Sequence, residues 1–322
     1  MLSLRRFPIA LIAGAVLALA LPVRAAEVDK YLPEDTEIVA VVNVSQLFDS
    51  PVVKKHILKH IREFIENSDE ITGILDDLDF DPFEDLTSIT AALTMVGSEA
   101  KGLIIAHGDF DKAKFEDKAE EVAKEMGDVF RIHKKGERTI YEVTVEGGGK
   151  PLFVGVVDET TIVAGPEKQY VLDAFAKGKG KRHGTMKKEI QDLIEKVDAK
   201  QSIWFAATAN AFLKGDLSHD EKSRKNLEKM NGITAGLTVG RGIKAAFAIA
   251  ANNADNAKEL AQEIKMGLDQ AKGLLAVLAE QNKELAPFID TVGSLRVNTE
   301  GSTITLKGEV SGELVEKSLR RN

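Results

Sequence analysis

The stretch Ile89-Thr90-Ala91-Ala92-Leu93-Thr94-Met95-Val96 has a counterpart in Ile233-Thr234-Ala235-Gly236-Leu237-Thr238-Val239. In each, alternate residues divide an extended chain into two sides. One side carries Ile89, Ala91, Leu93 and Met95, or Ile233, Ala235, Leu237 and Val239; the other carries threonine with alanine or glycine. Alternation with period two is the mark of a β-strand whose faces meet different surroundings. It predicts that the larger apolar side is buried and leaves the threonine side free to meet solvent. A glycine-bearing turn follows each copy, at 97–102 and 240–242, then a second apolar strand at 103–106 and 246–249. Amphipathic helices come next, at 112–126 and 255–281. Self-similarity on this scale organises a fold before any single residue does.

The likeness extends in both directions. Ile38-Val39-Ala40-Val41-Val42-Asn43-Val44 is a nearly continuous apolar run, the pattern of a central strand, and Ser202-Ile203-Trp204-Phe205-Ala206-Ala207-Thr208 occupies its place in the second half. Further hairpin strands are predicted at 139–145, 152–157 and 161–164, and in the second half at 295–297 and 303–306. Pro166 and Glu167 open a helix after the first set. The fold class is therefore α+β: two related repeats, each a largely antiparallel sheet with helices packed mainly on one face. The divisions are a leader at 1–25, a first repeat at 26–176, a basic Gly/Lys linker at 177–186 and a second repeat at 187–322. The first repeat differs by an insertion at 51–85, helical and then acidic.

The N-terminus has the anatomy of a secretory signal peptide. Arg5 and Arg6 precede a short apolar run at 9–21, and Val23-Arg24-Ala25 supplies a cleavage site after Ala25. The run falls short of the roughly 20 residues a membrane-spanning helix needs. Loss of Arg5, Arg6 and Arg24 takes the formal net charge from −8 to −11. An acidic chain is a poor partner for nucleic acid, whose binding depends on cations displacing counterions. With no cysteine, neither disulfides nor thiol chemistry is open to it. A periplasmic or secreted location follows, without stable membrane insertion once the leader is removed.

Tyr31-Leu32-Pro33-Glu34-Asp35-Thr36, Leu78-Asp79-Phe80-Asp81-Pro82-Phe83-Glu84-Asp85-Leu86, Asp158-Glu159-Thr160-Thr161-Ile162-Val163-Ala164-Gly165 and the Trp204 strand give the chain a further likeness. Over nearly the whole mature length it resembles exported bacterial proteins of unknown function, common in planctomycete-like genomes. The resemblance implies a duplicated α+β fold and a location outside the cytoplasm, and it carries no active-site residues.

Residues with metal or phosphate chemistry are few. His56 and His60 stand four apart on an expected helix, the spacing that lets two imidazoles share a metal, but Ile57 stands where a zinc protease has glutamate. Asp77, Asp79 and Asp81 lie in an acidic run, yet the run lacks the glycine and terminal glutamate of a calcium loop. Leu78, Phe80 and Phe83 within it read as anchors to the core. The basic run at 177–184 follows a helix and has no Gly-Lys-Ser/Thr ending, so it reads as a linker and not a phosphate loop. In the helix at 255–281, Ala257, Leu260, Ala261, Ile264, Leu268, Ala271, Leu275 and Leu278 form a stripe expected to pack on the sheet.

These features predict a non-enzymatic binding or assembly module with no cofactor, facing an unidentified protein or cell-envelope partner. A carrier of a hydrophobic ligand and a hydrolase with a site assembled in space are the competing readings. Thr90, Thr94, Thr234 and Thr238 on an open sheet face would mark the binding module. An apolar cavity under the long helix would mark the carrier.

Overall fold

The computed structural model describes residues 25–97, 99–136, 138–144, 149–180, 186–215, 220–281 and 286–319. The leader before Ala25, residues 145–148 and linker residues 181–185 lie outside the described residues. In chain order the elements are β1 (Ile38–Asn43), α1 (Val44–Asp49), α2 (Pro51–His56), α3 (Leu58–Glu66), α4 (Asp69–Leu78), β2 (Leu86–Val96), β3 (Glu99–Gly108) and α5 (Lys112–Glu125). There follow β4 (Phe130–Lys135), β5 (Arg138–Val143), β6 (Leu152–Asp158), β7 (Thr161–Gly165), α6 (Lys168–Gly178) and α7 (Lys188–Ile194). The second half holds β8 (Ile203–Thr208), α8 (Ala209–Lys214), α9 (Glu221–Glu228), β9 (Met230–Val239), β10 (Ile243–Ala251) and α10 (Ala254–Gln281). It ends with α11 (Ala286–Ser294), β11 (Arg296–Glu300), β12 (Thr303–Val310) and α12 (Gly312–Leu319).

Among the described residues every strand pair is antiparallel, and twelve strands form one sheet in the order β11-β12-β10-β9-β8-β1-β2-β3-β7-β6-β5-β4. The join between the halves is the β1–β8 ladder, where Val39 faces Ala206 and Val41 faces Trp204. From that seam β1-β2-β3 runs outward on one side and β8-β9-β10 on the other. Gly97, at φ 62° in the left-handed region glycine occupies without strain, turns β2 into β3.

The two faces are covered differently. On one, α5 packs through Ala119 against Tyr141 and Val156, α8 through Ala211 against Ile38 and Ala207, and α10 through Ala257, Leu260 and Ala261 against Ile249 and Ile304. On the other, α6 (Val171, Ala174, Phe175), α7 (Ile190, Leu193, Ile194) and the segment at 26–36 bury Val39, Val41, Ala92, Leu103, Ile105, Val163 and Trp204. Phe175 fits because Gly155 lacks a side chain: a Cβ there would stand 2.6 Å from the ring.

This second face is the threonine side, and here the expectation of an open threonine surface is corrected. Thr90, Thr94 and Thr234 are buried. β2 is an inner strand with cover above and below, and a small side chain lets the overlying segment approach closely. The stripe of α10 is also only half used. Its first turns are buried against the sheet, whereas Ala271 and Leu278 of the stripe are exposed, as are Met266, Leu274 and Val277 beside it. No helix among the described residues is long and apolar enough to cross a membrane.

Candidate functional site

Two places on the threonine side are open to a ligand. The first begins where α6, α7 and the N-terminal segment stop. α7 reaches only the start of β9 and the end of β10, with Leu193 against Gly232 and Ala250 in the buried cluster, and a shallow trough of about 730 Å³ lies along the rest of that side over β9, β10, β12 and β11. Register defines its floor. Thr238, Lys244 and Glu309 form one cross-strand row; Gly236, Ala246, Lys307 and Arg296 form the next; Thr234, Ala248, Thr305 and Asn298 form the third. Lys196, Lys244 and Lys307 have no carboxylate within ion-pair distance among the described residues, and one nitrogen of Arg296 donates to the carbonyls of Gly293 and Leu295.

The second is a cleft of about 460 Å³ at the β8-β1-β2 seam, roofed by the N-terminal segment. Six bonds hold this strap in place. Ala26 N donates to Val197 O (2.9 Å), Tyr31 OH to Asp158 Oδ2 (2.9 Å), Lys177 Nζ to Leu32 O (2.6 Å) and Thr94 Oγ1 to Asp35 O (2.9 Å). Tyr170 OH donates to Asp35 Oδ2 (2.7 Å), and His107 Nε2 lies 2.7 Å from Asp29 Oδ2. His107 Nδ1 is 3.3 Å from Thr161 Oγ1. Carboxylate, imidazole and hydroxyl thus stand in series, as in a nucleophilic triad, but the hydroxyl that would attack is only 1% exposed. The arrangement fastens the strap and offers no substrate access to Thr161.

The hydrogen bond to Asp29 raises the His107 pKa above its ordinary value, against the opposing effect of burial. Asp158 and the carbonyl of Thr160 favour the charged form as well. A raised folded value means the added stability is complete below the unfolded pKa of about 6.5 and is lost as pH rises through the folded one. Hydrogen exchange at residues 26–36, corrected for intrinsic rates, should therefore quicken as pH rises above that window. In His107→Gln this pH dependence should be absent.

Below the sheet end sits a buried carboxylate that sequence reading passed over. Glu37, its side chain 1% exposed, accepts from Lys214 Nζ (2.7 Å), Lys187 Nζ (3.0 Å), Asn210 Nδ2 (3.2 Å) and the backbone N–H of Met95 (3.3 Å). Burial alone would raise its pKa; the two ammonium groups outweigh burial and hold it below the usual carboxylate range. Glu37 begins the first strand's apolar run, and only its position next to that run hinted at burial.

The residues singled out as metal ligands do not converge. Asp77 pairs with Lys118 and Asp79 with Lys114 (2.7 Å), both lysines on α5, and Asp81 accepts from Phe83 N (2.8 Å) in a local turn. Ile57, at φ −118°, interrupts the expected helix between His56 and His60. His60 stands in solvent beside Glu63, while His56 Nε2 is buried without a partner. Among the described residues no three His, Asp or Glu side chains are placed to hold a metal. The anchor reading of the acidic run agrees with the contacts: Phe80 stacks on Phe110 (5.5 Å), and Phe83 lies against Phe48 (5.1 Å) under Arg62.

No protein-family model matches the chain, and no curated protein matches it. Among solved structures it is similar to TP0453. Crystal form III has a TM-score of 0.48 at 11% identity, covering 91% of this chain and 99% of that one. Crystal form I has a TM-score of 0.46 at 12% identity, covering 92% and 99%.

Proposed function

We propose that this chain is an exported, non-catalytic binding module that meets a protein partner across the open trough over β9, β10, β12 and β11 beyond α7. The observation that carries the reading is the change of cover along one side of a continuous sheet. The strap, α6 and α7 bury the threonine side over the first half and the seam, and beyond them a polar trough is left. Its small alanine and threonine side chains admit close approach, while Gln201 lies over Gly236. Lys196, Lys244, Arg296 and Lys307 are interspersed with Asp198 and Glu309 around the trough. Both signs of charge suit a protein surface better than a polyanion, and a polar, wet contact of this kind is ordinary for non-obligate association. The charged n-region, short apolar run and Ala25 site support export.

Amine acetylation read by mass spectrometry tests this in intact cells against the purified protein. Lys244, Lys307 and Lys196 should be protected in cells, while Lys54 and Lys222, away from the trough, label equally in both. The same spectra should show a mature chain starting at Ala26. Equal labelling of the trough lysines in both samples overturns the partner, and a retained leader overturns cleavage after Ala25.

A further inference from the structure

We propose that the cleft under the strap is a second, independent site, and that it binds a small organic carboxylate with an apolar, ring-sized body. Its volume of about 460 Å³ falls within the span typical of small-ligand pockets. The stronger argument is the state of its hydrogen bonds. Thr90 and Trp204 line the cleft at 4% and 6% exposure, and neither side chain has a hydrogen-bond partner; nor has that of Ser88. Their polar atoms still reach solvent, since among the described residues His56 Nε2 is the one fully buried side-chain polar atom without a partner. These groups are therefore open toward the one space they share.

Their chemistry selects the ligand. The indole N–H can only donate, and so can the ammonium of Lys30, which lies at the rim over the Tyr31 ring with no carboxylate in ion-pair distance. The hydroxyls of Ser88 and Thr90 can donate too. A molecule that satisfies them presents acceptor oxygens. Asp29 and Glu27 also line the cleft, but Asp29 is engaged by His107 and Tyr31 N, and Glu27 has a partner of its own. The Lys30 ammonium, hydrogen-bonded to Tyr31 but with no carboxylate at ion-pair distance, matches one negative charge, which favours a carboxylate over a doubly charged phosphate. Val28, Val41 and the Trp204 ring supply an apolar wall for the body.

Trp204 is the chain's only tryptophan, so its fluorescence reports the site directly. Phenylacetate, phenylacetamide and phenethylamine, titrated against the whole mature protein, separate charge from shape. Phenylacetate should change the emission saturably, phenylacetamide should bind about tenfold more weakly, and phenethylamine should give no saturable change. Thr90→Val and Lys30→Gln should each weaken phenylacetate by roughly five- to tenfold. Thr305→Val, in the open trough, should leave it unchanged, which separates this site from the partner surface. Lys30 is exposed, so its variant keeps the test intact even if Thr90→Val folds poorly. A non-saturable response, equal binding of amine and carboxylate, or wild-type affinity in Lys30→Gln overturns the proposal.

Discussion

Phe175→Ala should lower the free energy of unfolding by about 3–5 kcal/mol, read as an earlier denaturant midpoint with an unchanged slope. Phe175 is 3% exposed and stands in the middle of the α6 face, between Val171 and Ala174, both fully buried. Its ring occupies the notch left by Gly155 in β6. Truncation removes a large apolar group from a site that cannot collapse, since the sheet below is pinned by ladders on both sides of β6. The reciprocal change, Gly155→Ala, should cost about 1–3 kcal/mol by overpacking the same space. Because one atom set fills what the other vacates, the double variant should fall short of the sum. Strict additivity would mean that α6 is held to the sheet by contacts other than this one.

Glu37→Gln should cost about 2–3 kcal/mol at neutral pH. The amide keeps the shape of the side chain but gives up the charge that two lysines share. Removing one partner of a buried pair is most damaging when the survivor is stranded; Lys187 and Lys214 are 45% and 37% exposed and can turn to water, which places the loss at the lower end. The pH profile identifies the cause. Because the folded pKa of Glu37 is depressed, its contribution is complete above the unfolded value of about 4.3 and disappears as pH falls through the lower folded one. The gap between wild type and Glu37→Gln should therefore close in acid. A gap that persists below both values would reveal a packing defect and no charge effect.

The strands and the long helix were legible because their periodicity is local. The repeated Ile-Thr stretches fall within β2 and β9, and the helix expected at 255–281 is α10 to within a residue. What failed was the choice of side. Alternation says which residues share a face, and it does not say which face another segment will cover; Thr90 and Thr94 are buried because a strap from far along the chain lies on them. The strap itself has no period to detect. Its fastenings, such as Tyr31 to Asp158, join residues 127 apart and exist only once the sheet has formed. β4 escaped notice for another reason. Phe130 and Ile132 alternate properly, but Arg131, His133, Lys134 and Lys135 make it look like a solvated turn, whereas charge is what protects a strand at the sheet's edge. Of the site, Trp204 and Thr90 were visible as strand residues, while the cleft between them depends on β1–β8 pairing that no local pattern announces.

That pairing also fixes an order of events in time. The hairpins β2–β3 and β9–β10 close over short loops and can form as soon as their residues are available. β1 must wait for β8: Asn43 donates to the carbonyl of Gln201, 158 residues further on. Contacts so distant in the chain are slow to form, since loop closure precedes any reward from the ladder. A chain made from its N-terminus delivers β1 long before its partner, with one edge of that apolar strand unsatisfied in the meantime. The seam is thus expected to close after both hairpins, and a cleft roofed by the strap requires that closure.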